Sequence, residues 1–228
     1  MASESENTGT QSVLLFELEG AALDGRSKLL EAAQGVFKAA GITLKEHVFA
    51  RYCIHASPSY VAEQLVAGAG GGKLDHDAAA KIVEAYVALM RKAKHQANTK
   101  FSEVLSKATK RGLKTAALSV LPEDVARAAL DSSGLAAKGV ELVTFPENER
   151  HFPRTDCWLR LPRSLNRSPR ACIAIAGCRD SGKSALAAGM RCIIVPDQFT
   201  SYQDFSGVDA VLDGEEEADV AELIESIA

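Results

Sequence analysis

The stretch CIAIAGCRDSGKSALAAGM, residues 172–190, admits two readings, and the choice between them decides the fold. Its middle, GCRDSGKS (177–184), fits G-x-x-x-x-G-K-[ST], a P-loop pattern in which backbone N–H groups cradle phosphates. The apolar run CIAIA (172–176) precedes it and an Ala-rich helical stretch follows, which is the context that pattern requires. Position in the chain argues the other way. A P-loop nucleotide fold sets its glycine loop after the first strand, whereas only about forty-five residues follow Ser184. They are too few to build the rest of such a sheet. The stretch therefore reads as a strand–turn–helix corner late in an α/β chain, its helix beginning near Gly182. The amides at that helix start, with Lys183, remain a candidate anion site.

Working outward, the chain alternates from Phe101 onward. A helix over 101–111 ends at Gly112, TAALSV (115–120) reads as a strand, and a helix follows over 122–131. VELVTF (140–145), a helix near 156–165, CIAIA, CIIV (192–195), DAVL (209–212) and a closing helix complete the series. Repeated strand–helix units of this kind specify a parallel sheet covered on both faces. An earlier apolar run, VLLF (13–16), supplies one more strand, and the residues after it are helical in texture for about seventy positions. There Gly41 stops one helix, Ser57-Pro58 opens another, and Thr43 with Glu46 has capping-box spacing. GAGGGK (68–73) reads as a turn, since no strand precedes it. The fold class expected is α/β, a doubly wound parallel-sheet core with an inserted helical cap. The tail is 1–12, the core 13–27 and 98–228, and the cap 28–97.

Composition narrows the function. Charged residues make up 25% of 228 and the net charge is −4, which gives no electrostatic footprint for nucleic acid. No apolar run reaches membrane-spanning length. The opening MASESENTGTQS is polar and acidic without a basic-then-apolar leader pattern, so the expectation is a disordered tail on a cytoplasmic protein. The five cysteines lack CxxC spacing and the five histidines form no HExxH, which points to reduced thiols and away from a transition-metal site.

Four motifs in order resemble those of the haloacid dehalogenase superfamily, in its β-phosphoglucomutase and phosphoglycolate-phosphatase branch. LLFELEGAALDG (14–25) is similar to that family's F-D-x-D-G-T-L-x-D. LKTAALSV (113–120) is similar to its second motif, a strand ending in Ser or Thr, here Ser119. FPRTDCWLRL (152–161) resembles the third, K-P-x-P-D-x-Y, and residues 172–196 resemble the fourth, a strand ending in E-D-S. The resemblance covers nearly all of the chain past residue 12. It implies a phosphatase in which one Asp attacks phosphorus, a second acts as acid/base, and Mg²⁺ is bound by the fourth motif.

Carried over residue by residue, the nucleophile position holds Glu17, the acid/base position Glu19 and the phosphate-binding hydroxyl Ser119. The Thr of the first motif falls on Ala21 and the Lys of the third on Phe152. The magnesium-binding acids fall on Ala176 and Gly177, or on Cys178 in a shifted register, with Asp180 nearby. Pro153, Asp156 and Trp158 track the third motif's flanks. Phosphoryl transfer needs positioning and charge neutralisation, and a Glu displaces the attacking oxygen by about 1 Å, enough to cost about a hundredfold. The expectation is a binding or regulatory pseudoenzyme with no metal and no cofactor, its partner a small phosphorylated metabolite or a protein. Two alternatives stand beside it: a phosphomonoesterase with a Glu-substituted site, and a P-loop-like nucleotide or phosphate binder at 177–184. His55 and His151 lack an identifiable partner in sequence.

Overall fold

The computed structural model describes residues 12–145, 152, 154–213, 222 and 224. The tail 1–11, His151, Pro153 and most of the expected closing helix lie outside the described residues.

The first strand, β1 (Val13–Glu17), is buried along its whole length, as a strand with helices on both faces must be. It runs into a single π-helical turn, Leu18–Ala22, and then into α1 (Gly25–Ala39). Next come α2 (Glu46–Ala50), α3 (Pro58–Ala69) and α4 (Ala78–Lys92), and α5 (Thr99–Lys110) leads back to the sheet. From there β2 (Lys114–Ser119), α6 (Glu123–Ser132), β3 (Glu141–Thr144) and α7 (Thr155–Ser164) alternate. The chain continues through β4 (Cys172–Ala176), α8 (Arg179–Ala187), β5 (Arg191–Ile194) and β6 (Ala210–Val211).

These strands form a parallel six-stranded sheet in the order β3-β2-β1-β4-β5-β6. The α/β reading therefore holds. β1 is central, with Glu17 opposite Leu118 on one side and Phe16 opposite Ile175 on the other. Strand order reverses between β1 and β4. The carboxyl ends of those two strands flank the crevice where open sheets of this type bind ligands. Two apolar clusters pack the two faces. One holds Leu14, Phe16, Phe37, Phe101 and the inner sides of α1 and α4. The other holds Val13, Leu15, Phe152, Trp158 and Ile194. The alternation of Leu14 and Phe16 with Val13 and Leu15 is the period-two rule of a strand covered on both sides.

Local details follow the residue chemistry with two exceptions. Ser57 accepts a hydrogen bond from the Tyr60 amide at the start of α3, and Asn98 does the same for Phe101 at α5. Gly41 and Gly112 close α1 and α5 with positive φ. The capping box expected of Thr43 and Glu46 does not form, because Lys45 precedes α2 and makes no side-chain cap. The helix after β4 starts at Arg179, three residues ahead of the expected Gly182. Among the described residues no helix is long and apolar enough to cross a membrane.

Candidate functional site: a closed carboxylate cluster at the sheet's switch point

Glu17 is the last residue of β1 and Glu19 lies one residue into the π turn, so both leave the sheet at its carboxyl edge. They turn in opposite directions. Glu17 reaches toward β4: its Oε1 accepts from the Ser181 hydroxyl and its Oε2 from the Gly177 amide at 3.1 Å. Glu19 reaches toward β2, where the Ser119 hydroxyl donates to its Oε1. Ser119 also accepts from the Leu121 amide at 3.1 Å, which shapes the turn into α6. Glu17 is 1% exposed and Ser119 fully buried, so this polar cluster is sealed from water.

The sealing has a backbone cause. Gly20 and Gly177 face each other so closely that a Cβ on Gly177 would lie 1.8 Å from the Gly20 carbonyl oxygen. A Cβ on Gly20 would lie 2.3 Å from Glu17 Oε2. Only glycine allows backbones and a carboxylate to approach like this. The helical insert then closes over the edge. The Ile54 carbonyl accepts from the Asp180 amide at 3.4 Å, and Gln203 donates to the Cys53 carbonyl at 2.9 Å while accepting from the Arg179 amide at 2.8 Å. The Tyr202 hydroxyl donates to the Ala50 carbonyl. Two cavities of about 640 and 610 Å³ lie elsewhere, one along α1 and α4 and one beside Arg51 and Tyr202; neither is lined by Glu17, Glu19 or Ser119.

One cation enters the cluster that sequence reasoning missed. Arg26, in the first turn of α1, is 6% exposed; its Nη1 donates to Asp197 Oδ2 at 2.7 Å and to the Gly20 carbonyl at 2.9 Å. The third-motif Lys falls on Phe152, yet a cation stands beside the acids. The charge comes from α1, and nothing in the four motifs marks that position. Asp197, just past β5, Ser181 and Cys178 were likewise outside or at the margin of the motif reading. The only local clue was Arg26 itself, a basic residue directly after a first-motif match.

The electrostatics follow from burial. Burial raises the Glu17 carboxyl, against the pull of Ser181, Arg26 and the Gly177 amide. Burial raises Glu19 to about 7, against Ser119. Burial is the largest influence on Arg26 and opposes its charge, but Asp197 and the other groups around it, Glu17 among them, together outweigh burial and keep the guanidinium ionised. Burial pushes the Cys53 and Cys178 thiols up to about 12, so both are neutral at ordinary pH.

The remaining expected residues are elsewhere. Phe152, at the family's Lys position, is buried against Phe145 with ring centroids 5.1 Å apart. Trp158 is fully buried in the same cluster. The exposed Arg160 lies over the outer Phe145 ring and does not fill the Phe152 position. The Gly182 amide donates to the Cys178 carbonyl within α8, because the helix begins earlier than expected. Lys183 is exposed. The amides that a P-loop would turn toward phosphate are thus committed to the helix ladder, to Glu17, to Gln203 and to Ile54. Asp180 pairs with Arg179. His55 accepts from the Ser57 amide and stacks near Tyr60.

The magnesium ion that the resemblance implies does not fit this donor set. Mg²⁺ takes oxygen ligands in near-octahedral geometry, and the fourth-motif positions present Ala176, a glycine and a neutral thiol. Among the described residues no three His, Cys, Asp or Glu side chains are grouped to hold a metal ion.

The chain aligns along 94% of its length with a curated protein named Putative phosphatase YhcW, from Bacillus subtilis (strain 168), at 25% identity and 96% coverage of that protein. A conserved haloacid dehalogenase-like protein from Agrobacterium tumefaciens superposes with a TM-score of 0.71 at 15% identity, covering 95% of this chain and 97% of that one. The protein CbbY from Rhodobacter sphaeroides, solved as a mutant with xylulose-(1,5)bisphosphate, superposes with a TM-score of 0.70 at 18% identity, covering 89% and 93%. No family model matches the chain. With the sheet order and the carboxylate-bearing first strand, these likenesses give the chain the fold of haloacid dehalogenase-like proteins, and its sequence is similar along nearly its whole length to a putative phosphatase.

Proposed function

We propose that this chain is a haloacid dehalogenase-type protein that has left the metal-assisted phosphoryl transfer of its relatives and acts by binding, as a regulatory member of a phosphatase family. The observation that carries this reading is the state of Glu17. Both of its oxygens are engaged within the chain, by Ser181 and by the Gly177 amide, at a site closed by the Gly20–Gly177 contact. A nucleophile needs an oxygen free and aligned with phosphorus. It also needs cations that offset the phosphate. Among the described residues the cation beside Glu17 is Arg26, and its guanidinium is already paired with Asp197. A phosphate dianion entering this cluster meets repulsion. The partner class is a protein or a small phosphorylated metabolite bound outside the closed cluster. The test is a panel of phosphomonoesters incubated with the full chain with and without Mg²⁺. Release of phosphate that disappears in Glu17→Ala would overturn the proposal.

A second reading has an observation of its own. Glu17, Glu19 and Ser119 still converge on one strand edge, in the order of a phosphatase site, and the full-length relative carries a phosphatase name. Under that reading the helical insert opens, Glu17 leaves Ser181, and the chain hydrolyses small phosphorylated metabolites. The neighbour solved with a sugar bisphosphate makes phosphorylated sugars the first compounds to try.

A further inference from the structure

Among the described residues the cluster around Glu17 holds one permanent positive charge, and that charge is covalently part of the chain. Arg26 and Asp197 come from segments far apart in sequence, α1 and the loop after β5, and meet at 2.7 Å. The second contact of Nη1 is the Gly20 carbonyl, the same oxygen that crowds Gly177. Nη2 is buried without a hydrogen-bond partner among the described residues and lies 3.6 Å from where a Gly20 side chain would begin. A guanidinium is the cation suited to such a place. It is planar, more weakly hydrated than an ammonium, permanently charged, and presents several donors in one fork.

We propose that Arg26 is a counter-ion built into the chain that stands in for the family's divalent cation: fixed by Asp197 and the Gly20 carbonyl, it balances the acids at the end of β1 and pins the first turn of α1, the helix that leads into the insert, to the carboxyl edge of the sheet. The inference rests on the reading above that no metal works at this site. It adds to that reading the group that replaced the metal. A magnesium ion neutralises from outside and can leave, whereas Arg26 neutralises as soon as the chain folds. Its role is positioning. It ties Gly20 to Asp197, acts on Glu17 through its charge, and touches no reacting atom. Because the charge is tethered to α1, the step that brings the insert onto the sheet also completes the neutralisation. Opening the insert along its first turn would strip the acids of their cation.

The experiment is chemical rescue of Arg26→Ala, read by thermal unfolding of the full chain without any ester present. Arg26 is buried while the Asp197 side chain is 26% exposed; removing the buried partner of such a pair is destabilising, and for a chain of this size a Tm drop of about 5–15 °C is expected. About 20 mM guanidinium, against the same concentration of NaCl, is expected to restore several degrees to the variant and none to the unaltered chain, by mass action at the emptied position. About 10 mM MgCl₂ is expected to leave the unaltered chain within about 1 °C of its Tm in matched salt. A variant whose Tm is unchanged, or which guanidinium stabilises no better than NaCl, overturns the proposal. So does a Mg²⁺-specific rise in the unaltered chain. Should the variant fail to fold alone, refolding yield with and without guanidinium at matched ionic strength decides in the same sense. Phosphate release in the ester panel with this rescue intact would remove the functional reading and leave Arg26 as the chain's own cation.

Discussion

Two regions of the molecule show how differently one fold treats buried charge. At the end of β1 the acids remain, and each has found a partner inside the chain: Ser181 and the Gly177 amide for Glu17, Ser119 for Glu19, Arg26 for the local charge. At the position where the resemblance would set a Lys there is no charge, and Phe152 packs against Phe145 in the cluster that holds Trp158. The first solution keeps a buried polar network and satisfies it. The second removes the polar group and fills the space with apolar contacts. Both avoid an uncompensated charge away from water, which is the costly state. What separates them is reach. A residue at the strand edge has donors on β2, on α8 and at Gly177 just past β4 within a side chain's length, whereas among the described residues Phe152 packs in an apolar cluster with Phe145.

The strongest way to break this comparison is Phe152→Lys. If the pocket is apolar as it stands, the introduced amine is a buried charge without a partner and costs about 3–5 kcal/mol, seen as a lower urea midpoint. Retained stability together with Mg²⁺-dependent phosphate release would mean that the two positions still cooperate as a phosphatase site. Next in size is a pH effect at the polar end. Glu19 titrates near 7 in the folded chain and near its ordinary 4.5 when unfolded. Between those values the native state holds the extra proton, so stability falls as pH rises from about 4.5 to about 7 and is level above that. The contribution is at most about 3 kcal/mol. The raised Glu17 carboxyl acts in the same direction. Urea titrations across this range should show the decline, and Glu19→Gln should flatten it; a slope unchanged by the substitution would take Glu19 out of the account. The smallest expected effect sharpens the role of closure. Tyr202→Phe removes one hydroxyl from the Ala50 carbonyl and should lower stability by about 0.5–1 kcal/mol. Amide exchange should rise in residues 50–55, while Glu17 and its neighbours keep their protection. Faster exchange spreading to Gly177 would show that the outer tie and the inner cluster open together.

Much of this molecule could be read from residue order. Strands β1, β2 and β4 declared themselves by short apolar runs, and Gly41, Ser57-Pro58 and Gly112 marked helix ends, because period and turn chemistry are local properties. The same locality exposed Glu17, Glu19 and Ser119, each at the exit of a recognisable strand. It also misled. The GKS-containing stretch reads as a corner whose helix begins near Gly182, but α8 starts at Arg179, and the Gly182 amide donates to the Cys178 carbonyl. The capping box at Thr43 failed because the chain entering α2 put Lys45 at the boundary.

By itself, then, the sequence determined the α/β order of elements, the helical insert after β1, and the acids left at the strand edge. Only the tertiary structure decided what those acids meet. Arg26 lies 171 positions from Asp197, and Ser181 lies 164 from Glu17. Whether a carboxyl is solvated, paired or protonated depends on groups that chain folding brings within a few ångströms. That proximity is written in no local pattern, because the sheet order that creates it is set by the packing of the whole chain.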